Sequence, residues 1–273
     1  MLMQTHEARL AALRQELKSR GLDGFVVPIS DEHMSEYVGA YAQRLQWLTG
    51  FGGSAGSAAV LLAKAAIFVD GRYTVQVREQ VDEKLFEYRS VPKETMGAWL
   101  AENAGRGARI GYDPWLHSRQ WVSVTQQHLN GAEVQLVAVD TNPIDAVWQD
   151  QPEPSTAVAI IHDDGLAGRS SSDKRAELAD WLKASGHDAA VVSALDSVAW
   201  LLNIRGADVS HTPVALSYVV AHADGTAELF IAPEKVTPEL VQHLGNAVMI
   251  RPRESFAGAL GAFAGKRVAV DPD

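Results

Sequence analysis

The sequence contains no cysteine, which removes disulfide frameworks, thiolate nucleophiles, zinc ribbons and iron–sulfur clusters in one step. It has no long hydrophobic run either: an apolar stretch such as 58–63 falls far short of the ~18–20 residues a spanning helix needs. Residues 1–21 mix Glu, Arg and Lys with Ala and Leu and lack a continuous apolar segment, so they do not read as a signal peptide. Positive charge is in deficit, with 24 basic against 34 acidic side chains and a net charge of −10. With no basic arm to release counterions, the chain is not expected to bind nucleic acid. Glycine and proline stand near ordinary usage, at 22 and 11 residues, which excludes collagen-like and low-complexity readings. The expectation is a cytoplasmic protein with neither a membrane nor a nucleic-acid partner.

What is present is an ordinary globular balance, 47% hydrophobic and 21% charged over 273 residues. At ~100–150 residues per domain this length suggests two domains, and an internal repeat supports that number. Leu10, Leu13 and Leu17 form an i, i+3, i+7 stripe that runs to Gly21, and the apolar Phe25-Val26-Val27-Pro28 follows. A second copy begins at Ser172-Asp173-Lys174, where Ser172 is placed to cap a helix ending at Gly186, and Ala189-Ala190-Val191-Val192 follows. Trp47-Leu48-Thr49-Gly50 is matched by Trp200-Leu201-Leu202-Asn203, Ile67-Phe68-Val69 by Leu229-Phe230-Ile231, and Arg109 to Pro114 by Arg267 to Pro272. Between these landmarks, 58–63 with 66–69 and 216–221 with 227–231 read as strand pairs. Helices are expected over 95–103 and 118–129, and a strand over 134–139. Each unit thus reads as α/β with a mixed sheet flanked by helices. The Pro-containing stretch 151–154 reads as the linker, giving domains at 1–154 and 155–273, with the second expected to stop before completing its repeat.

Several motifs invite chemistry. Gly52-Gly53-Ser54-Ala55-Gly56 satisfies the G-x-S-x-G pattern of a serine hydrolase, but that pattern needs a following helix. The residues after it read as strands, so a turn made of small residues is the better account. His33 and Glu36 stand at i, i+3 without an obvious third ligand, so a polar helix start capped by Ser30 or Asp31 is preferred to a metal site. His162-Asp163-Asp164-Gly165 reads as a turn. Asp70-Gly71-Arg72-Tyr73 follows an apolar strand, where a site or a structural Asp–Arg pair is equally expected. Arg205 to His211 is comparable. No His-Glu-x-x-His pattern occurs and none of the nine histidines precedes a glycine.

Taken together, these landmarks resemble the non-catalytic N-terminal part of the Xaa-Pro aminopeptidases in the creatinase/prolidase superfamily. The resemblance is carried by Ser30 to Tyr37, by Arg44 to Gly56, by Asp70 to Tyr73 and by Val147-Trp148 with Pro152. In the second copy it is carried by Ser172 to Lys174, Leu195 to Gly206 and Pro213 to Tyr218. It implies two creatinase N-terminal-like domains ahead of a third, pita-bread domain, which in the family holds two divalent metal ions, often manganese, through two Asp, one His and two Glu. That catalytic domain is absent from this sequence, so no metal ligand carries over, Asp70 included, and no catalytic residue or cofactor is expected here.

The resemblance further implies peptides with proline at the second position as substrates of the full enzyme, the chain's own catalytic domain as a partner, and a homodimer. Residues expected at the substrate rim are Arg44, Ser54, Asp70, Arg72, Arg205 and His211, with Arg44 as an electrostatic contact. Two other readings remain open at this stage: a stand-alone peptide- or protein-binding module, and a hydrolase using Ser54.

Overall fold

The computed structural model describes residues 4–272. The chain divides into two compact units, the division falling between Glu153 and Pro154.

The first unit starts with helix α1 (His6–Ser19), whose N-cap Thr5 accepts a hydrogen bond from the Ala8 amide. Its Leu10, Leu13 and Leu17 are all buried. Gly21 leaves the helix at φ 64°, a left-handed conformation that glycine adopts without strain. The unit continues through β1 (Gly24–Pro28), α2 (Arg44–Thr49), β2 (Gly56–Leu61), β3 (Ala65–Val69), α3 (Gln76–Gln80) and β4 (Glu87–Ser90). It then runs through α4 (Met96–Asn103), β5 (Arg109–Tyr112), α5 (Arg119–Asn130), β6 (Gln135–Ala138) and α6 (Pro143–Val147). The sheet order is β4-β3-β2-β1-β5-β6, with β1 antiparallel to β2 and parallel to β5.

Successive side chains of a strand face opposite ways, and β1 shows how that builds a three-layer unit. Phe25 and Val27 join the core made with Leu10, Leu13 and Leu17, whereas Val26 joins Trp99, Leu100 and Leu129 on the other face. Fully burying each such side chain stabilises the fold by roughly 1.5–3 kcal/mol.

The second unit contains β7 (Ile160–Ile161), α7 (Asp164–Ala167), α8 (Ser171–Ser185), β8 (Ala189–Val192), α9 (Leu195–Leu202) and β9 (Ile204–Arg205). It continues with β10 (Ser217–His222), β11 (Ala227–Ile231), α10 (Pro238–Leu244), β12 (Val248–Arg251), α11 (Phe256–Leu260) and β13 (Val268–Ala269). Its main sheet has the order β12-β11-β10-β8-β13. Strands β8, β10, β11, β12 and β13 pair with the same relative directions as β1, β2, β3, β4 and β5. The repeat extends to hydrogen bonds. Asp23 exchanges bonds with the Arg109 backbone through its own amide and carboxylate, and Asp188 does the same with Arg267.

Two local expectations need correction. The cap of α8 is Ser170, which accepts from the Asp173 amide, while Ser172 only shares a hydroxyl bond with Ser170. The segment 31–36 forms turns and no helix. Asp31 Oδ1 accepts from the His33 and Ser35 amides at 3.0 and 3.1 Å, an Asx turn that competes with helix formation.

Candidate functional site

In the first unit, the entry to β2 and the exit from β3 lie side by side, because the two strands are antiparallel with Gly56 opposite Val69. This register brings Ser54 to the segment 70–73. Ser54 Oγ donates to Glu36 Oε1 at 2.8 Å and shares a 2.9 Å bond with the Tyr73 hydroxyl. With the single serine proton directed to Glu36, the tyrosine proton completes a chain from Tyr73 through Ser54 to the carboxylate. Asp70 caps the turn by accepting from the Arg72 amide at 2.9 Å, and it pairs with the Arg72 guanidinium at 2.7 Å. The Arg72 guanidinium holds the Asp70 carboxyl below its ordinary range. That guanidinium also lies 5.3 Å from the centre of the Tyr73 ring.

Glycine is needed in this loop for close approach. A Cβ on Gly53 would stand 2.7 Å from Tyr73 Cδ1 and would also meet the Phe51 ring. The result is a solvent-facing cluster of Glu36, Ser54, Asp70, Arg72 and Tyr73, with Tyr37 and Val75 exposed next to it in sequence. It offers one cation, two carboxylates and two hydroxyls. It does not form a nucleophile site: Ser54 is bonded to a carboxylate and a phenol, with no histidine as its hydrogen-bond partner, and a strand follows the loop where the hydrolase elbow needs a helix.

Arg44 lies apart from this cluster. It is 8% exposed and clamps Asp145 on α6 in a bidentate pair at 2.7 and 2.8 Å. Burial opposes its charge, but Asp145 and the more distant Glu32 and Asp113 outweigh that effect and raise its pKa. The structure therefore places Arg44 as a tie between α2 and α6.

In the second unit, Arg205 donates to the carbonyls of Ala199 and Ile204 at the end of α9. His211 is exposed at φ 61°, in the turn closed by the Val209–Thr212 bridge. Asp208 turns the other way into the core, where it pairs with Lys235, so His211 and Asp208 do not share a surface. Asp163 caps the short α7. Among the described residues no group of three or more His, Asp or Glu is placed to hold a metal ion, so these residues do not fit the dinuclear metal set that the resemblance implies for a third domain.

Sequence reasoning singled out Ser54, Asp70 and Arg72 but missed Glu36 and Tyr73 as their partners, although both lie in the motifs that carried the resemblance. The Asp145 partner of Arg44 lies 101 positions away, and no local spacing signals it.

Comparison with known proteins gives a consistent picture. Two descriptions of the creatinase/prolidase N-terminal domain match the chain, one over residues 9–147 and the other over 150–273. A protein of Aspergillus clavatus named "Probable Xaa-Pro aminopeptidase P" is 38% identical over 255 residues, covering 92% of this chain and 39% of that protein. One of the same name from Neosartorya fischeri is 37% identical over the same share of each chain. The chain thus spans about two fifths of the length of these curated relatives. Among solved structures, an X-prolyl aminopeptidase from Caenorhabditis elegans, described as a cytosolic enzyme with a di-nuclear active site, superposes with a TM-score of 0.90 at 31% identity. The match covers 96% of this chain and 45% of that one.

Proposed function

The chain belongs to the creatinase/prolidase N-terminal domain family, and on that footing we propose that it is the non-catalytic N-terminal region of a cytoplasmic, metal-dependent Xaa-Pro aminopeptidase. In this reading the parent enzyme removes an N-terminal residue that precedes proline, with two divalent ions, manganese among the candidates, held by a separate catalytic domain. When bound there, such a metal pair supplies an activated water and polarises the scissile carbonyl. The residues of this chain shape access to that chemistry and take part in domain and subunit assembly, including a homodimer. No helix among the described residues is long and apolar enough to cross a membrane.

The observation that carries the reading is the combined match of both units to the family together with the 0.90 TM-score to the Caenorhabditis elegans enzyme. The exposed cluster supplies the rim: Arg72 presents a cation steadied by Asp70, and Ser54 is set by Glu36 and Tyr73. Arg44 supports this surface from below by fixing α2, the helix that leads into the loop carrying Ser54. Arg205 and His211 are the second unit's rim candidates.

The test is an Xaa-Pro peptide assay with added manganese on two proteins: the 273-residue chain alone, and the chain joined to the segment its gene encodes next. No turnover by the first and turnover by the second is expected. Turnover by the chain alone overturns the reading by placing catalysis in these residues, and turnover by neither overturns it in favour of a peptide- or protein-binding module. In the active protein, Arg72→Ala is expected to raise KM several-fold with little change in thermal stability.

A further inference from the structure

The two units repeat one buried feature with a difference. In the second unit Lys174, 3% exposed, donates to the Trp200 carbonyl at 2.9 Å and lies 4.6 Å from the centre of that indole. Its ammonium also donates to Asn203 Oδ1 at 2.6 Å, and the Asn203 amide donates in turn to Asp164 Oδ1 at 2.7 Å. The cation is therefore answered by a carboxamide and, through it, by a carboxylate.

In the first unit Arg9 stands at the matching helix position. It is 8% exposed, donates to the Trp47 carbonyl at 2.6 Å and lies 5.1 Å from the Trp47 ring centre. Here the answering groups are missing. The residue that corresponds to Asn203 is Gly50, and both hold the left-handed cap of their helix. Among the described residues no carboxylate pairs with Arg9, and its buried Nε has no hydrogen-bond partner. An open cavity of about 400 Å³ lies beside it, lined by His6, Arg9, Gln43, Gln46, Trp47 and Trp148 among others. The two indoles stack at 5.4 Å, giving the cavity a flat apolar wall, and the two glutamines supply amide donors.

A buried cation without a counter-charge is costly and is ordinarily paired. A guanidinium is suited to a carboxylate, which it can bind through two parallel bonds. We propose that this cavity binds the carboxylate of a small organic acid, with Arg9 as the charged anchor and the Trp47–Trp148 stack as the platform for an aromatic or apolar body. The ligand reaches Arg9 from the open side of the cavity; at Gly50 a Cβ would already meet His6 Cε1 and the Gln80 carbonyl oxygen at 2.8 Å, so the place of the Asn203 side chain itself is filled. Nothing in this inference depends on the peptidase reading.

Two sources of such a carboxylate can be separated: a free acid and a peptide C-terminus. The probes are benzoate, N-acetylphenylalanine and N-acetylphenylalanine amide, titrated by calorimetry into the 273-residue chain at low salt. The indole N–H resonance of Trp148, assigned through Trp148→Phe, is followed in parallel. Saturable binding of an acid that shifts this resonance, with no binding of the amide, is expected. Binding of N-acetylphenylalanine alone identifies the peptide source, and binding of benzoate as well identifies a general acid site.

Arg9→Gln is expected to weaken binding at least tenfold. Because that change alters a buried group, His6→Glu serves as a second variant. It places a carboxylate one helical turn from Arg9, and it is expected to abolish binding while raising the melting temperature. Absence of binding by the unaltered chain at millimolar acid, or equal binding by Arg9→Gln or His6→Glu, overturns the proposal.

Discussion

Lys235 Nζ lies 2.6 Å from Asp208 Oδ1, and both side chains are closed off from solvent. The remaining polar atoms of the pair are also engaged. Lys235 donates to the carbonyls of Ser155 and Ala157, and Asp208 Oδ2 accepts from the Leu216 amide. Desolvation of two charges is offset here by complete hydrogen bonding, so removing one partner leaves an unanswered charge in the core.

Lys235→Met is therefore expected to destabilise the second unit by about 3–5 kcal/mol. The double variant Lys235→Met, Asp208→Asn, which keeps an acceptor for the Leu216 amide, should recover more than half of that loss. Urea unfolding monitored by amide exchange of β10 and β11 measures both. A single-variant loss no larger than that of a surface substitution would contradict the assignment.

Arg44 and Asp145 form a bidentate pair between α2 and α6. Arg44→Lys cannot reproduce the fork geometry and is expected to cost about 1.5–3 kcal/mol. In an active parent enzyme, Arg44→Ala should raise KM or lower turnover by loosening the loop that carries Ser54. Unchanged kinetics together with lowered stability would confine the residue to structure.

Gly53 carries the Tyr73 ring against its backbone. Gly53→Ala should cost about 1–3 kcal/mol through overpacking and should separate Tyr73 from Ser54. Thermal unfolding and the chemical shift of the Tyr73 ring report the two effects. A neutral result would mean that the turn can move aside.

His117 is packed 4.1 Å from the Trp121 ring and bonded through Nδ1 to the Asp113 carbonyl. Burial lowers its pKa below 6.5, against the opposing pull of the Asp113 carbonyl and carboxylate. His6 is shifted the same way by burial and by Arg9. The unfolded chain therefore takes up these protons first as pH falls. The stabilisation is complete above pH 6.5 and is lost progressively as pH drops through 6.5 toward the lowered folded values. His117→Phe should flatten part of that slope as pH falls below 6.5 in thermal unfolding profiles.

Most of the fold was legible because it is local. Leu10, Leu13 and Leu17 announce α1 through helical spacing, and the expected 95–103 and 118–129 helices appear as Met96–Asn103 and Arg119–Asn130, capped by Thr95 and Ser118. The strand pairs appear within two residues of their expected bounds. The site was only half legible, because its bonds cross long stretches of chain. Ser54 reaches Glu36 and Tyr73, and Arg44 reaches Asp145, through tertiary placement that no periodicity records. At 31–36 a capped helix start and an Asx turn share the same residue types, and the two amides bonded by Asp31 decide for the turn.

Gly50 and Asn203 occupy one structural position in two copies of a single plan, and that substitution has an evolutionary meaning. A duplicated unit is released from the duty of being identical to its sibling, so one copy can keep a self-sufficient interior while the other trades completeness for openness. Each copy then serves as a comparison for the other. A glycine at Asn203 in the second copy, which strips Lys174 of its carboxamide partner, would measure what the closed arrangement contributes there.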